Sequence, residues 1–415
     1  MIQRIKKEHY SGSITIPSSK SDTQRALILA FLAEGVSTLI HVGSSEDEKA
    51  ILNAIQELGA KVEYVNSSEL KIQGISQLLE EKSISVGESG LGIRLLTSVA
   101  AIFDKKITLQ GKGSLVTRPM DFFDSILPLF KVNVKTNSGL IPIEIKGPLI
   151  GRTIDLDGSL SSQFLSGLLI SLPLSEKDSE LNVKDLKSIP YVQMTLNSLS
   201  KFGIQIKNDD FKRFNIQGKQ KVKATTYTIE GDWSSASYWL VASALGFDIS
   251  VKNLNLESLQ ADKEILAIFE KANCKITSSE NNITIDGKDR KAFTADLTHC
   301  PDLFPALAVF ASLTPGKSIL IGTNRLIHKE SNRAKAILEE FSKLGCQISR
   351  QENEMQIEGI DKLELNSVDS HHDHRMAMSL AILGMFCDEE ITIQNTEVVS
   401  KSYPTFWDDL NSLRK

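Results

Sequence analysis

Two apolar periods alternate along this chain, and the places where one hands over to the other recur at near-constant spacing. Five times an apolar helical run ends, passes a turn residue and continues as a strand of alternating apolar and polar positions. The copies are Leu58-Gly59-Ala60-Lys61-Val62, Phe130-Lys131-Val132-Asn133-Val134, Phe202-Gly203-Ile204-Gln205-Ile206, Ala272-Asn273-Cys274-Lys275-Ile276 and Leu344-Gly345-Cys346-Gln347-Ile348. Three of the turn residues are Gly and one is Asn, the types that accept the left-handed conformation closing a helix; Lys131 is the exception. Subtracting positions 59, 131, 203, 273 and 345 gives steps of 72, 72, 70 and 72. Such regularity predicts an internal repeat of helices and strands, too long for a solenoid unit. A sixth junction would fall near 417, so a strand around Ile2–Ile5 or Ser13–Ile16 is expected to complete the last unit. Six units divide into two domains of three, with the boundary near Glu230-Gly231. The expected class is α/β or α+β with pseudo-threefold domains.

Composition narrows the function. The 415 residues suffice for two or three domains with cores of their own. Hydrophobic residues make up 41% and charged ones 24%, a soluble globular balance. A net charge of −5 argues against a broad nucleic-acid face, so any cation cluster must be local and suited to a small anion. Four cysteines without CxxC spacing read as buried free thiols in a reducing compartment. The start Met1-Ile2-Gln3-Arg4 opens no apolar run, and no stretch reaches the ~18 apolar residues of a membrane span. A cytoplasmic protein without membrane or nucleic-acid partners is expected.

The chemistry gathers where helices begin. Ser19-Lys20-Ser21 with Arg25 leads into the apolar run Ala26–Ala33, so hydroxyls and cations meet the positive end of a helix dipole. Gly87-Glu88-Ser89-Gly90-Leu91-Gly92-Ile93-Arg94 is a glycine-rich turn entering the helical run Leu95–Ala101, with Arg94 as a phosphate fork or a brace. Arg118-Pro119 precedes an amphipathic helix over Phe122–Phe130, and Ser161-Ser162-Gln163 opens another apolar helix. Each of these also fits plain capping. Pro301-Asp302 sets a carboxylate before the helix Ala306–Leu313, where a favourable dipole contact is the simpler account. In the run from His328 to Arg333, one helical turn would place Lys329 and Arg333 on a shared face, separated by an anion or by Glu330. The run His371-His372-Asp373-His374-Arg375 lacks the i, i+4 spacing of a helical zinc pair, so metal binding is not expected there. Lys401 adds a further cation before a helix. Eight cations in one acidic chain (Lys20, Arg25, Arg94, Arg118, Lys329, Arg333, Arg375 and Lys401) would repel one another in a shared cleft unless anions filled it.

With Ser188-Ile189-Pro190-Tyr191, Asp232-Trp233-Ser234-Ser235-Ala236, His374-Arg375-Met376-Ala377 and Lys401-Ser402-Tyr403-Pro404, these motifs stand in the order of one family. From Ser18 to Phe406 the chain resembles the 5-enolpyruvylshikimate-3-phosphate synthases (3-phosphoshikimate 1-carboxyvinyltransferases), of the enolpyruvyltransferase family. The resemblance implies transfer of the carboxyvinyl group of phosphoenolpyruvate to the 5-hydroxyl of shikimate 3-phosphate, with release of phosphate, on the route to chorismate and aromatic amino acids. It implies no metal or organic cofactor, a monomer, and two domains of three βαβαββ units each, an inside-out α/β barrel with the active site in the interdomain cleft. The N-terminal enolpyruvyltransferase domain would span 15–230, and 1–14 plus 231–415 would form the C-terminal one.

By the same resemblance, Lys20, Ser21, Arg25, Ser161, Ser162, Gln163, Ser188, Tyr191, Asp302 and Lys329 would bind shikimate 3-phosphate. Lys20, Gly90, Arg118, Gln163, Arg333, Arg375 and Lys401 would bind phosphoenolpyruvate. Catalysis would fall to Asp302 as base for the attacking hydroxyl and to Glu330, with Lys20, for the proton at the methylene carbon. Asn324 is a further candidate from a less clear stretch. Domain closure is expected, since cations split between two domains must be brought onto one ligand pair. One segment departs from the family: Glu88-Ser89-Gly90-Leu91-Gly92 stands where Asn-Ala-Gly-Thr-Ala is usual, at a place bearing on affinity for phosphoenolpyruvate and for glyphosate. Glu88 would be repulsive there unless it faces a cation such as Arg94 or Arg118. The alternatives are a UDP-N-acetylglucosamine enolpyruvyltransferase, whose reactive early cysteine is missing here (the first is Cys274), and a catalytically silent anion-binding homologue.

Overall fold

A computed structural model describes residues 1–159, 161–279, 282–327 and 329–415. By its contacts the chain divides into two compact units, Ser18–Ile229 and Met1–Pro17 together with Glu230–Lys415.

All five repeat junctions take the left-handed turn that the sequence pattern demands. Gly59, Lys131, Gly203, Asn273 and Gly345 have φ of 112°, 65°, 82°, 63° and 81°. Lys131 adopts the conformation in spite of its Cβ, so the geometry of the repeat overrides the side chain's preference.

In unit Ser18–Ile229 three four-stranded sheets share one topology. Their strands run, in order, Thr226–Thr228, Val36–Ile40, Glu69–Gln73 and Lys61–Asn66; Lys82–Ser85, Ile107–Gln110, Leu140–Lys146 and Asn133–Asn137; Thr153–Asp157, Ser179–Lys184, Arg213–Ile216 and Ile206–Asp209. The first two strands of each sheet are parallel (Thr226 opposite Thr38, Lys82 opposite Ile107, Thr153 opposite Glu180), and the remaining pairs are antiparallel. Alternation along strands such as Leu140–Lys146 buries one face and leaves the other to solvent. Three helices are buried almost all round: Lys20–Leu32, Gly90–Ala100 and Ser162–Ser171. Apolar on every side, they belong inside the ring of sheets rather than on its surface. The middle helix packs on both of the others. Its approach to the third is close, since a Cβ on Gly167 would stand 2.8 Å from the Arg94 carbonyl oxygen.

The second unit repeats the plan. Two four-stranded sheets use Ser11–Thr15, Asp248–Lys252, Asn282–Asp286 and Lys275–Ser279, then Thr294–Asp296, Lys317–Ile321, Glu354–Glu358 and Gln347–Gln351. A third holds Ser367–Asp369, Ile391–Gln394 and, antiparallel to it, Ile2–Ile5. Both expected N-terminal strand regions are therefore used: Ile2–Ile5 completes the last sheet, and Ser11–Thr15 pairs in parallel with Asp248–Lys252 in the first. Helices Trp233–Ala244, Phe304–Ser312 and His374–Gly384 are buried and pack mutually at the centre. The expected inside-out arrangement of helices within sheets is what both units show.

Two local expectations need correction. The helix predicted over Phe122–Phe130 is α-helical only from Asp121 to Ile126 and tightens to a 3-10 turn at Leu127–Phe130, where Pro128 removes an amide donor. The stretch 329–332 is not a helical turn: the helix Arg333–Lys343 starts at Arg333 behind the cap Asn332, whose side chain accepts from Lys335 N. His328, named with that run, lies outside the described residues.

Candidate active site

In unit Ser18–Ile229 the three central helices each begin at a serine. Ser19 accepts from Asp22 N, Ser89 from Gly92 N and Ser161 from Gln163 N. Their positions step by 70 and 72 residues, so the repeat places three neutral hydroxyl caps at equivalent points. Around them the predicted residues are cross-braced. Lys20 Nζ lies 2.9 Å from Asp47 Oδ2. Arg25 is buried; Nε donates to Thr195 Oγ1 at 2.8 Å, Nη1 to Ser21 O at 2.8 Å and Nη2 to Tyr191 O at 3.2 Å. Burial lowers its pKa, with Asp22 acting against the shift. Asp22 in turn accepts from Tyr227 OH at 2.6 Å.

The second helix links to the other two through polar side chains. Ser89 Oγ donates to Gln24 Oε1 at 2.9 Å. Arg94 Nη1 donates to Gln163 Oε1 at 2.7 Å while its guanidinium covers the Phe164 ring at 5.1 Å. Of the two readings of Arg94, the brace is the one this geometry displays. Arg118 is packed on Gly90, where a Cβ would stand 2.2 Å from Nη1; glycine is what allows the guanidinium so close to the helix start. Glu88 turns its carboxylate toward Gly113, where a Cβ would meet it at 2.2 Å. Ser162 and Ser188 are buried, and Ser188, at φ 55°, caps helix Ile189–Lys201 by its backbone alone.

The second unit begins its central helices with aspartates. Asp232, Asp302 and Asp373 step by 70 and 71 residues, in register with the helices Trp233–Ala244, Phe304–Ser312 and His374–Gly384. Asp232 and Asp373 are side-chain caps, accepting from Ser235 N at 2.8 Å and Arg375 N at 3.0 Å. Asp302 is not. The dipole account offered for it gives way to ion pairing: Oδ1 meets Lys329 Nζ at 3.2 Å and Arg333 Nη1 at 2.8 Å, and Oδ2 meets Arg375 Nη2 at 3.1 Å. Asp302 is thus the anion that separates Lys329 from Arg333. Glu330 serves the same end, accepting from Arg333 Nη2 at 2.5 Å. Arg333, 1% exposed, also gives Nε to Asp373 Oδ2 at 2.7 Å.

Charge balance follows from these contacts. Burial alone would raise the Asp302 pKa, but Arg375, Lys329 and Arg333 outweigh it and hold the carboxyl well below its usual range. Burial lowers the Lys329 pKa against the pull of Asp302. Arg333 and Arg375 are held above theirs by the carboxylates despite burial. Asp262 stands apart: buried, it accepts from Ser234 Oγ, while its Oδ1 has no hydrogen-bond partner. Desolvation, with Asp302 nearby, pushes its pKa up to about 7.

Five predicted residues (Asp302, Lys329, Glu330, Arg333 and Arg375) therefore form one cluster in this unit, and Lys401 is buried at the end of the 3-10 turn Thr396–Lys401. Asn324 is exposed and tied to Arg350, 3.1 Å away; its neighbour Arg325 is the one whose charge reaches Asp302. Sequence reasoning missed Asp47, Thr195, Asp262 and the grip of Asp373, although an aspartate two places before Arg375 is itself a cap signal. Among the described residues Glu339, Glu340 and His371 are close enough together to hold a metal ion, but Glu340 is already engaged by Lys343 Nζ at 2.8 Å. The four cysteines are buried and free.

A family model described as EPSP synthase (3-phosphoshikimate 1-carboxyvinyltransferase) matches residues 5–410. The chain belongs to this family. It is 40% identical over 407 residues to the 3-phosphoshikimate 1-carboxyvinyltransferase of Clostridium acetobutylicum, covering 97% of this chain and 95% of that one. The enzyme of the same description from Clostridium kluyveri is 39% identical over 404 residues, with the same coverage. In fold the chain is similar to a solved EPSP synthase from Acinetobacter baumannii, with a TM-score of 0.83 at 24% identity over 100% of this chain and 98% of that one. No helix among the described residues is long and apolar enough to cross a membrane.

Proposed function

We propose that this chain is a 3-phosphoshikimate 1-carboxyvinyltransferase, moving the carboxyvinyl group of phosphoenolpyruvate to the 5-hydroxyl of shikimate 3-phosphate and releasing phosphate. Beside family membership, the observation that carries the reading is the Asp302 carboxylate shared by Lys329, Arg333 and Arg375. Three cations on one carboxylate suit a site that will exchange part of that carboxylate's hold for the anionic groups of substrates. As substrate phosphate and carboxylate take up those cations, Asp302 loses its stabilising partners and its pKa rises, which makes it a competent base for the attacking hydroxyl.

The hydroxyl oxygen then bonds to C2 of phosphoenolpyruvate while a proton reaches the methylene carbon, giving a tetrahedral intermediate. Loss of a proton from the new methyl group and departure of phosphate restore the double bond. Glu330, with Lys20, is assigned to the proton at carbon. The cations serve the charge that grows on the phosphate as it leaves.

Shikimate 3-phosphate is assigned to Ser21, Arg25, Ser161, Ser162, Gln163, Ser188, Tyr191, Asp302 and Lys329, and phosphoenolpyruvate to Gly90, Arg118, Arg333, Arg375 and Lys401, with Lys20 and Gln163 serving both. The two compact units are taken as the two domains of the enzyme, acting as a monomer in the cytoplasm without a cofactor. Purified protein should release phosphate only when both substrates are present. Release with phosphoenolpyruvate alone, or none from folded protein with both, would overturn the assignment.

A further inference from the structure

The cluster around Asp302 is supported from a place that none of the matched motifs reaches. Helix Arg333–Lys343 starts at Arg333 and carries Glu340 seven residues on, so both project from one face about 10 Å apart along the axis. Each end of that face grips the same short segment, residues 369–373. At one end Arg333 Nε holds Asp373 Oδ2 at 2.7 Å, and Ser331 Oγ donates to the same oxygen at 3.1 Å. At the other end Glu340, 1% exposed, accepts from the Asp369 amide at 2.9 Å and meets His371 Nε2 at 2.6 Å.

Between these ends the backbone is strained. His371 and His372 both lie in the left-handed region, at φ 53° and 54°, as does Asn395 beside them at 57°. Neither histidine has the freedom of glycine, so something outside the backbone must keep the conformation. Asp369 Oδ1 accepts from His371 N at 2.6 Å and Oδ2 from Asn395 Nδ2 at 2.9 Å, while Ser370 Oγ donates to Asn395 O at 3.0 Å. Asp369 thus ties the His371 backbone, and the His371 ring on Glu340 ties its side chain to helix Arg333–Lys343.

We propose that His371 is a positioning residue: clamped to Glu340, it holds the left-handed His371–His372 backbone so that Asp373 stays on Arg333. Without the clamp, the two histidines relax toward negative φ and the Asp373 carboxylate swings off the guanidinium. Arg333, still paired with Asp302 and Glu330, then loses the carboxylate that fixes its Nε edge but not its burial. The consequence is selective: an anion held by Arg333 binds less well, while the groups that move protons, Asp302 and Glu330, keep their contacts with Nη1 and Nη2.

The inference rests on the enolpyruvyl-transfer reading for its kinetic readout, so phosphoenolpyruvate binding is measured as well, by calorimetry. His371→Ala is expected to raise the KM for phosphoenolpyruvate, and to weaken its binding, by about tenfold, the scale of one weakened charge-assisted contact, with kcat within about threefold. His371→Gln, which keeps an N–H donor for Glu340, should recover most of the loss. In a double-mutant cycle with Asp373→Asn the effects should fail to add, since both act on Arg333. Should the alanine variant not fold, Glu340→Gln is read by the same criteria. Unchanged affinity in His371→Ala, a loss confined to kcat, or additive effects in the cycle would each overturn the proposal. Wild-type protein that binds phosphoenolpyruvate yet releases no phosphate would sink the functional reading and leave the test of His371 intact.

Discussion

The two units are built on one plan and differ in what they place at the starts of their central helices. Ser18–Ile229 caps all three with serine, and the other unit starts them with aspartate at matching repeat positions. A serine cap satisfies amide donors and adds no charge, so the helix ends keep their positive potential for a ligand anion. The caps Asp232 and Asp373 neutralise that potential themselves, and carboxylates there attract cations: Asp302 and Asp373 between them hold Lys329, Arg333 and Arg375. One architecture thus carries two electrostatic routes, bare dipoles with hydroxyls and arginines held on carboxylates. The second route also supplies acid–base groups. That is why the proposed base and proton donor, Asp302 and Glu330, sit in the unit with the acidic starts.

The sharpest way to break the comparison is to remove the acid from the acidic unit. Asp302→Asn keeps the shape and should lower kcat by about a thousandfold; turnover within threefold of wild type would remove Asp302 from the chemistry. Exchanging the two cap types is expected to come next. Ser161→Asp should leave the melting temperature unchanged or slightly higher, because an acidic cap suits the dipole. It should weaken shikimate 3-phosphate binding by at least about tenfold, since the cap now repels phosphate. A variant that binds as tightly as wild type would show that the charge of the cap does not matter.

A smaller effect concerns pH. Asp262 has a folded-state pKa of about 7 against an ordinary 3.8, raised by desolvation and by Asp302. Its protonated form therefore contributes stability that is complete below about pH 4 and lost as pH rises through 7. Asp302, held low, contributes in the opposite sense: its share is present above the ordinary carboxylate range and lost on acidification. Asp262→Asn should gain on wild type in melting temperature as pH increases from 5 to 8. Parallel curves would show that Asp262 carries its charge throughout. The smallest effect tests the repeat: Lys131→Gly relieves a left-handed lysine and should raise the melting temperature by about 2 °C, as for a strain of under 1 kcal/mol.

Much of the fold was legible because its signals are local. Gly59, Gly203, Asn273 and Gly345 announce left-handed turns by residue type alone, and their spacing carried Lys131 with them. The strand exchange was half legible: a missing strand could be counted, but two N-terminal stretches competed, and the structure uses both. The candidate cations were legible because a cation before an apolar helix is an unusual pattern. Their counter-charges were not. Asp47 and Thr195 meet Lys20 and Arg25 across 27 and 170 residues of chain, and no local pattern reports such pairings. Arg25 shows what that leaves out: its guanidinium donates to Thr195, Ser21 and Tyr191, partners that the sequence around it does not announce.

The pairing of Ile2 with Gln394 bears on how the molecule comes into being on a ribosome. At roughly 5–20 residues per second, the strand Ile2–Ile5 waits tens of seconds for the partner it will complete. Ser18–Ile229 holds all its own strands and can close long before then. During the wait a bare strand is an invitation to stick to neighbouring nascent chains. This one is poorly suited to that: it is four residues long, carries Arg4, and buries fully only Ile5 even when docked.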